Sequence, residues 1–336
     1  MTMTACNVRA CLLTLALGIA TSATHAESVS VVGETMGTTY RVTLMAHAAP
    51  ADLKARIDQL LERINDQMST YRPQSELSRL NAEHSRDWLA ISPELHAVLS
   101  AAREVSVATD GAFDITVGPL VNLWGFGAEA RIDQPPAAQA LRAAQSRTGY
   151  RQLELAAAPP RVRKARGDVS IDLSAIAKGY AVDALAALLD SKGIADYLID
   201  IGGELRARGH NARGQAWQVG IALPLANVDA VERILPLGDT GLATSGDYRN
   251  FFEFEGRRYS HEIDPASGRP VSNDVASVTV LHASCMMADA YATALMVTGA
   301  ERGLALAQEH GLKVLFLLRD GERFKARATP DFPAPR

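Results

Sequence analysis

Asp289 and Thr293 stand four residues apart in Met287-Ala-Asp-Ala-Tyr-Ala-Thr-Ala294, so a helix there would set a carboxylate and a hydroxyl on one face. Both are hard oxygen donors. Magnesium takes one or two such carboxylates and fills its octahedron with water and substrate phosphate. The same spacing also suits an aspartate that caps a helix and a threonine that packs inward. A second group lies in Ile171-Asp-Leu-Ser-Ala-Ile-Ala-Lys-Gly-Tyr180, where a short strand runs into Ser174, a natural N-cap for an apolar helix from Ala175 to Ser191. Helix N-termini carry unpaired N–H groups and attract phosphate. Lys178 falls in the first turn, where a cation does not help the helix dipole, so its placement makes more sense beside an anion. An ordinary capped helix with an exposed lysine would read the same way.

His261 precedes the turn signal Pro265-Ala-Ser-Gly268 and sits near the mouth of any cleft built from strand ends. There it could move protons near neutral pH, or simply be a hydrogen-bonded strand histidine. Thr109 to Gly127 crowds glycines, aromatics and Asp114 together, which suits a planar ring lying on backbone or a packed core loop.

The elements that must position these groups alternate between strand and helix. Ser28 to Met45 is rich in Val and Thr and reads as a strand broken at Met36-Gly37. Ala51 to Met68 has helical spacing, with Leu53, Ile57, Leu60, Leu61 and Ile64 on one face. Ser92-Pro93 opens a helix to about Ala108. Ile194–Ile201 and Glu204–Gly209 flank a Gly202-Gly203 turn, and Tyr248–Phe254 with Arg257–Ile263 form a hairpin around Glu255-Gly256. A helix over roughly Met286–Val297 and strands at Leu312–Leu318 and Arg323–Arg327 close the chain. Hairpins mixed with helices predict an α+β fold. The weakest seam, Ala128 to Ala140, predicts one compact, two-lobed body rather than separate domains.

Several chemistries are excluded. There is no G-x-x-x-x-G-K-[ST] phosphate loop and no G-x-S-x-G elbow. Gly125-x-Gly127-x-x-Ala130 imitates a dinucleotide fingerprint but leads into Arg131-Ile-Asp-Gln-Pro-Pro136 instead of an apolar helix. His282 and Cys285 are too few for a zinc site. Arg9 before the apolar run Cys11–Ala20, then Thr24-His-Ala26, is laid out as a signal peptide over residues 1–26, too short to span a bilayer. Residues 27–336 would then form the working domain, with 33 basic against 38 acidic residues and Cys285 alone. That balance carries no nucleic-acid signature, and a single cysteine forms no internal disulfide.

In order along the chain, Glu34–Thr38, Met68-Ser-Thr-Tyr-Arg72, Asp110–Gly127, Asp172–Asp183, Ser245–Pro270 and Asp289–Thr293 resemble the FAD:protein FMN transferase (ApbE) family. The resemblance implies a T-fold-like α+β body of antiparallel sheets with packed helices. It implies magnesium held by the main-chain carbonyl of Ala175 and by Asp289 and Thr293. FAD, the substrate, would touch Met36, Tyr71, Ala112, Phe113, Asp114, Asp172, Lys178 and Ile263. His261 matches a histidine important for catalysis in relatives, and the Gly202-Gly203 turn would let backbone approach the ligand.

The implied reaction is protein flavinylation. A Thr or Ser hydroxyl of an acceptor flavoprotein attacks the FMN phosphorus of FAD and AMP leaves. His261 would act as the base, and Lys178 would add positive potential. Acceptors in relatives carry Asp-x-x-Ser/Thr-Gly-Ala-Ser/Thr on periplasm-facing subunits of membrane redox complexes. Hydrolysis of FAD to FMN and AMP, or flavin storage without turnover, are the alternatives. The family's usual lipid-anchoring cysteine is missing, so a soluble periplasmic protein without a lipid anchor is expected.

Overall fold

The computed structural model describes residues 27–129, 131–225, 230–248 and 250–334. The segment 1–26, expected to be a signal peptide, lies outside these residues. Eight strands form one sheet: β1 (Ser28–Thr35), β2 (Thr38–Met45), β3 (Tyr197–Ile201), β4 (Glu204–Arg208), β5 (Thr240–Gly246), β6 (Val275–His282), β7 (Lys313–Asp320) and β8 (Arg323–Ala328). Their order across the sheet is their order along the chain, and every neighbour pair is antiparallel. Tight turns close β1–β2 at Met36-Gly37 and β3–β4 at Gly202-Gly203. All four of these residues have positive φ, as two-residue hairpin turns of matching twist require.

Helices enter between these strands: α1 (Leu53–Met68), α2 (Glu76–Ala82), α3 (Pro93–Ala108), α4 (Gly118–Leu123), α5 (Ala138–Gln145), α6 (Ala177–Ser191), α7 (Cys285–Thr298) and α8 (Ala300–Glu309). The alternation within β7 shows how the sheet divides its side chains. Val314, Phe316 and Leu318 join the large core with α1, α3, α6 and α7, whereas Leu315 and Leu317 face a second core. That second core is covered by a hairpin of Trp217–Ala222 and Val231–Leu237. A third, smaller cluster gathers Leu120, Trp124, Leu141, Ala144 and Ile263, tied by the Trp124 indole N–H donating to the Gly268 carbonyl at 2.8 Å.

The expected α+β class is the observed one. The predicted face of α1 is buried, with Leu60 half-buried at its margin. One boundary differs. Ser174 does not cap a helix at Ala175; Asp172 Oδ1 instead accepts from the Ser174 N–H at 2.8 Å, a turn covers residues 174–176, and α6 begins at Ala177. Asp172 competes locally for the backbone, as short carboxylates do.

Candidate functional site

A cavity of about 370 Å³ opens where the end of β5, the turn before α6, the loop around Asp114, and α7 meet. Of the residues expected at a site, Tyr71, Ala112, Phe113, Asp114, Asp172, Ala175, Lys178, Gly202, His261, Ile263, Asp289 and Thr293 all line it. Met36 and Gly203 are not among the lining residues. Met36 sits half-buried at the tip of the β1–β2 hairpin, and the Gly203 N–H donates to Asp200 Oδ1 at 2.9 Å.

The floor is charged and buried. Asp289 is 3% exposed in the middle of α7, whose N-cap is Ser284, so it is no capping residue. Its Oδ2 accepts from the Gly179 N–H at 3.0 Å. An ordinary helical bond from that N–H would have ended four residues back, on the Ala175 carbonyl. Thr293, one turn on, shares a hydrogen bond of 3.1 Å with the Ser245 hydroxyl. Lys178 Nζ donates to Glu204 Oε1 in a close ion pair. The anion that its first-turn position called for is therefore supplied at least in part by the protein itself.

One cation faces several carboxylates here. Burial alone would depress the Lys178 ammonium, but Glu204 and Asp289 outweigh it and raise its pKa. Burial raises the Glu204 carboxyl to about 7 despite Lys178, and Asp289 also beyond what Lys178 and the Gly179 N–H offset. Glu262, fully enclosed near the same groups, is pushed up by burial as well. Lys178 gains from the carboxyl groups around it, whereas the carboxyl groups are pushed up chiefly by losing water.

At the mouth, His261 Nδ1 lies 3.2 Å from the Asn250 carbonyl, which can only accept. Nδ1 therefore carries the proton in the neutral ring, and Nε2 presents its lone pair. Glu262 Oε1 is 3.7 Å from that Nε2, placed to favour the imidazolium once formed. Phe113, Ile115, Val121, Phe126 and Ile263 supply an apolar wall. Phe126 meets the His261 ring edge-on and stacks on Phe252, which stacks in turn on Tyr259. Asp114 lines this wall, but its oxygens are already engaged. Oδ1 takes the Thr116 N–H and hydroxyl at 2.8 and 2.6 Å, and Oδ2 takes the Tyr150 N–H at 2.7 Å. It braces the loop that presents Ala112 and Phe113.

Over residues 36–316 the sequence matches the ApbE family. The chain belongs to that family. A relative from Vibrio cholerae named FAD:protein FMN transferase is 46% identical over 310 residues, covering 91% of this chain and 92% of the relative. The solved structure "Flavin Transferase ApbE from Vibrio cholerae" superposes with a TM-score of 0.85 at 45% identity, covering 91% of this chain and 98% of that one. The apo form of the Pseudomonas stutzeri flavinyl transferase ApbE gives a TM-score of 0.82 at 38% identity, covering 90% and 95%.

Sequence reasoning missed Glu204, Glu262 and Thr244, which also line the cavity. Glu204 opens a strand directly behind two glycines, and only that oddity, a charge at the start of a strand, could have flagged it.

Proposed function

We propose that this chain is an enzyme that transfers the FMN moiety of FAD to a Ser or Thr hydroxyl of acceptor proteins. The observation that carries the reading is the convergence, in one cavity, of a cationic floor group, a basic imidazole nitrogen and an apolar wall, in a chain of this family. The acceptor oxygen forms a bond to the FMN phosphorus, and the bond from that phosphorus to the bridging oxygen breaks. AMP leaves with that oxygen. His261 Nε2 takes the hydroxyl proton, help generally worth about 10²–10⁴-fold. Lys178 offsets the diphosphate charge.

Magnesium fits the floor. Among the described residues no three His, Cys, Asp or Glu side chains form a ready metal cluster. A carboxylate, a hydroxyl and a carbonyl are nonetheless hard-oxygen donors of the kind magnesium shares with water and phosphate. The buried carboxyl groups of Asp289, Glu204 and Glu262 gather around the single ammonium of Lys178, and a bound cation would be favoured there. Asp289, Thr293 and the Ala175 carbonyl would hold it, and when bound it supplies charge neutralisation at the diphosphate. The apolar wall supports a flavin ring, and Tyr71, 65% exposed, stands at the rim. Acceptors on periplasm-facing redox subunits, and export directed by residues 1–26, complete the proposal; sequencing the N-terminus of the exported protein checks the cleavage site. Water in place of the acceptor hydroxyl would give hydrolysis. AMP release measured with FAD and Mg²⁺, with and without an acceptor domain, separates the two: release that depends on acceptor supports transfer, and equal release without it contradicts it.

A further inference from the structure

Glu204 carries no role in the scheme above, yet it is 3% exposed and lines the cavity. Its Oε1 is spent on Lys178, while its Oε2 is buried with no hydrogen-bond partner. A buried carboxylate oxygen left unpaired costs free energy, and native structures satisfy nearly all such atoms. Glu204 lines the same cavity as Asp289, and this oxygen lies buried at the cavity's floor without a protein partner. The backbone accounts for its place: Gly202 and Gly203, both at positive φ, reverse the chain so that the first residue of β4 points back beneath α6. A side chain at Gly202 would strike Thr38 at 2.8 Å, so the turn that delivers Glu204 is closely fitted.

We propose that Glu204 is a positioning residue of this site: one oxygen clamps the Lys178 ammonium, and the other accepts a hydrogen bond from a water of the divalent cation bound beside Asp289. The inference rests on the reading of the floor as a magnesium site. Glu204 fixes Lys178 away from Asp289, leaving that carboxylate free for the cation, and adds the second negative charge that draws the cation in. Without it, Lys178 swings toward Asp289 and competes with the metal for the same oxygen.

The test uses the full mature chain without FAD and titrates Mg²⁺ alone by calorimetry, in wild type, Glu204→Gln and Glu204→Asp. Gln keeps the shape and loses the charge; Asp keeps the charge. Glu204→Gln is expected to weaken Mg²⁺ binding about tenfold or more and to raise the KM for FAD, with kcat largely recovered at saturating Mg²⁺, and Glu204→Asp to restore much of the affinity. Should Glu204→Gln fail to fold, Lys178→Met/Glu204→Gln removes both charges together. In that background Mg²⁺ affinity is expected to stay below that of Lys178→Met alone, because the water-binding oxygen is gone. Mg²⁺ affinity within twofold of wild type in Glu204→Gln, or equal in Lys178→Met and the double variant, overturns the proposal. Wild type that binds no Mg²⁺ at all removes the metal reading and this inference together, whereas the first result leaves that reading standing.

Discussion

The proposed mechanism gives Asp289 and His261 different tasks, and replacing each should leave a different signature. Asp289→Ala removes the floor carboxylate near Lys178, so turnover is expected to vanish and Mg²⁺ binding to weaken; unchanged turnover would overturn the proposed metal site. His261→Ala leaves the floor and the apolar wall intact. FAD binding, followed by flavin fluorescence, should persist while transfer slows about 10²–10⁴-fold. The buried carboxylates also set a pH dependence. Glu204 holds its proton to about 7 in the folded chain against an ordinary value of 4.5, and Asp289 and Glu262 shift in the same direction. The folded state therefore binds more protons than the unfolded one across that window, and stability falls as pH rises through it. Thermal melts without metal should show a lower Tm at about pH 7.5 than at about pH 5, with Mg²⁺ stabilising more at the higher pH. An unchanged or rising Tm would mean that these groups are ionised in the folded chain. At this scale the meeting of Asp289, Thr293, Lys178 and His261 in one cavity was legible from the ordered set of segments that resembles the family, since each spacing alone also suits a cap, an exposed lysine or a strand histidine. Glu204 and Glu262 were not, because a glutamate in a strand reads as a solvated residue until the fold buries it.

The helices α6 and α7 are held as a pair, and the pair is what brings Lys178 to Asp289. Asp183, on α6, accepts from the Ser284 hydroxyl at 2.6 Å and from the Cys285 and Met286 N–H groups at 3.0 Å each. It thereby caps α7 from outside, and Arg206 on β4 donates to it at 2.7 Å. Asp183→Ala is expected to cost about 1–2 kcal/mol of stability, the range for losing a helix cap, and to lower Mg²⁺ affinity by loosening the helix that carries Asp289. Urea unfolding and calorimetry measure the two effects. Gly179 is the tighter constraint. A Cβ there would meet the Cys285 carbonyl and lie 2.7 Å from Met286 Cα, both backbone atoms that cannot rotate aside. Gly179→Ala should force the helices apart, costing about 1–3 kcal/mol as overpacked sites do, and abolish activity with it. Full stability in that variant would refute the close packing. The lengths of α1, α3 and α7 could be read from apolar periodicity and capping signals. The start of α6 could not, because Asp172 takes the Ser174 N–H and delays the helix by two residues, a local competition that periodicity does not record.

Across the whole molecule the sheet is a chain-ordered meander into which helices are inserted, with 151 residues between β2 and β3. Hairpin signals such as Met36-Gly37 and Gly202-Gly203 mark which neighbours pair locally. They do not reveal that β2 pairs with β3 across that insertion, a contact set only by burial of Tyr40, Val42 and Leu44 with Tyr197, Ile199 and Ile201 in one core. The same long-range closure gathers the cavity's residues from segments spread between Tyr71 and Thr293. No span of the described helices is long and apolar enough to cross a membrane. Covalent transfer of FMN to another protein is read from the intact mass of an acceptor domain carrying Asp-x-x-Ser/Thr-Gly-Ala-Ser/Thr after incubation with residues 27–336, FAD and Mg²⁺. A gain equal to FMN less one water, matched mole for mole by AMP, is the expected result. AMP accumulating over an acceptor of unchanged mass would contradict it.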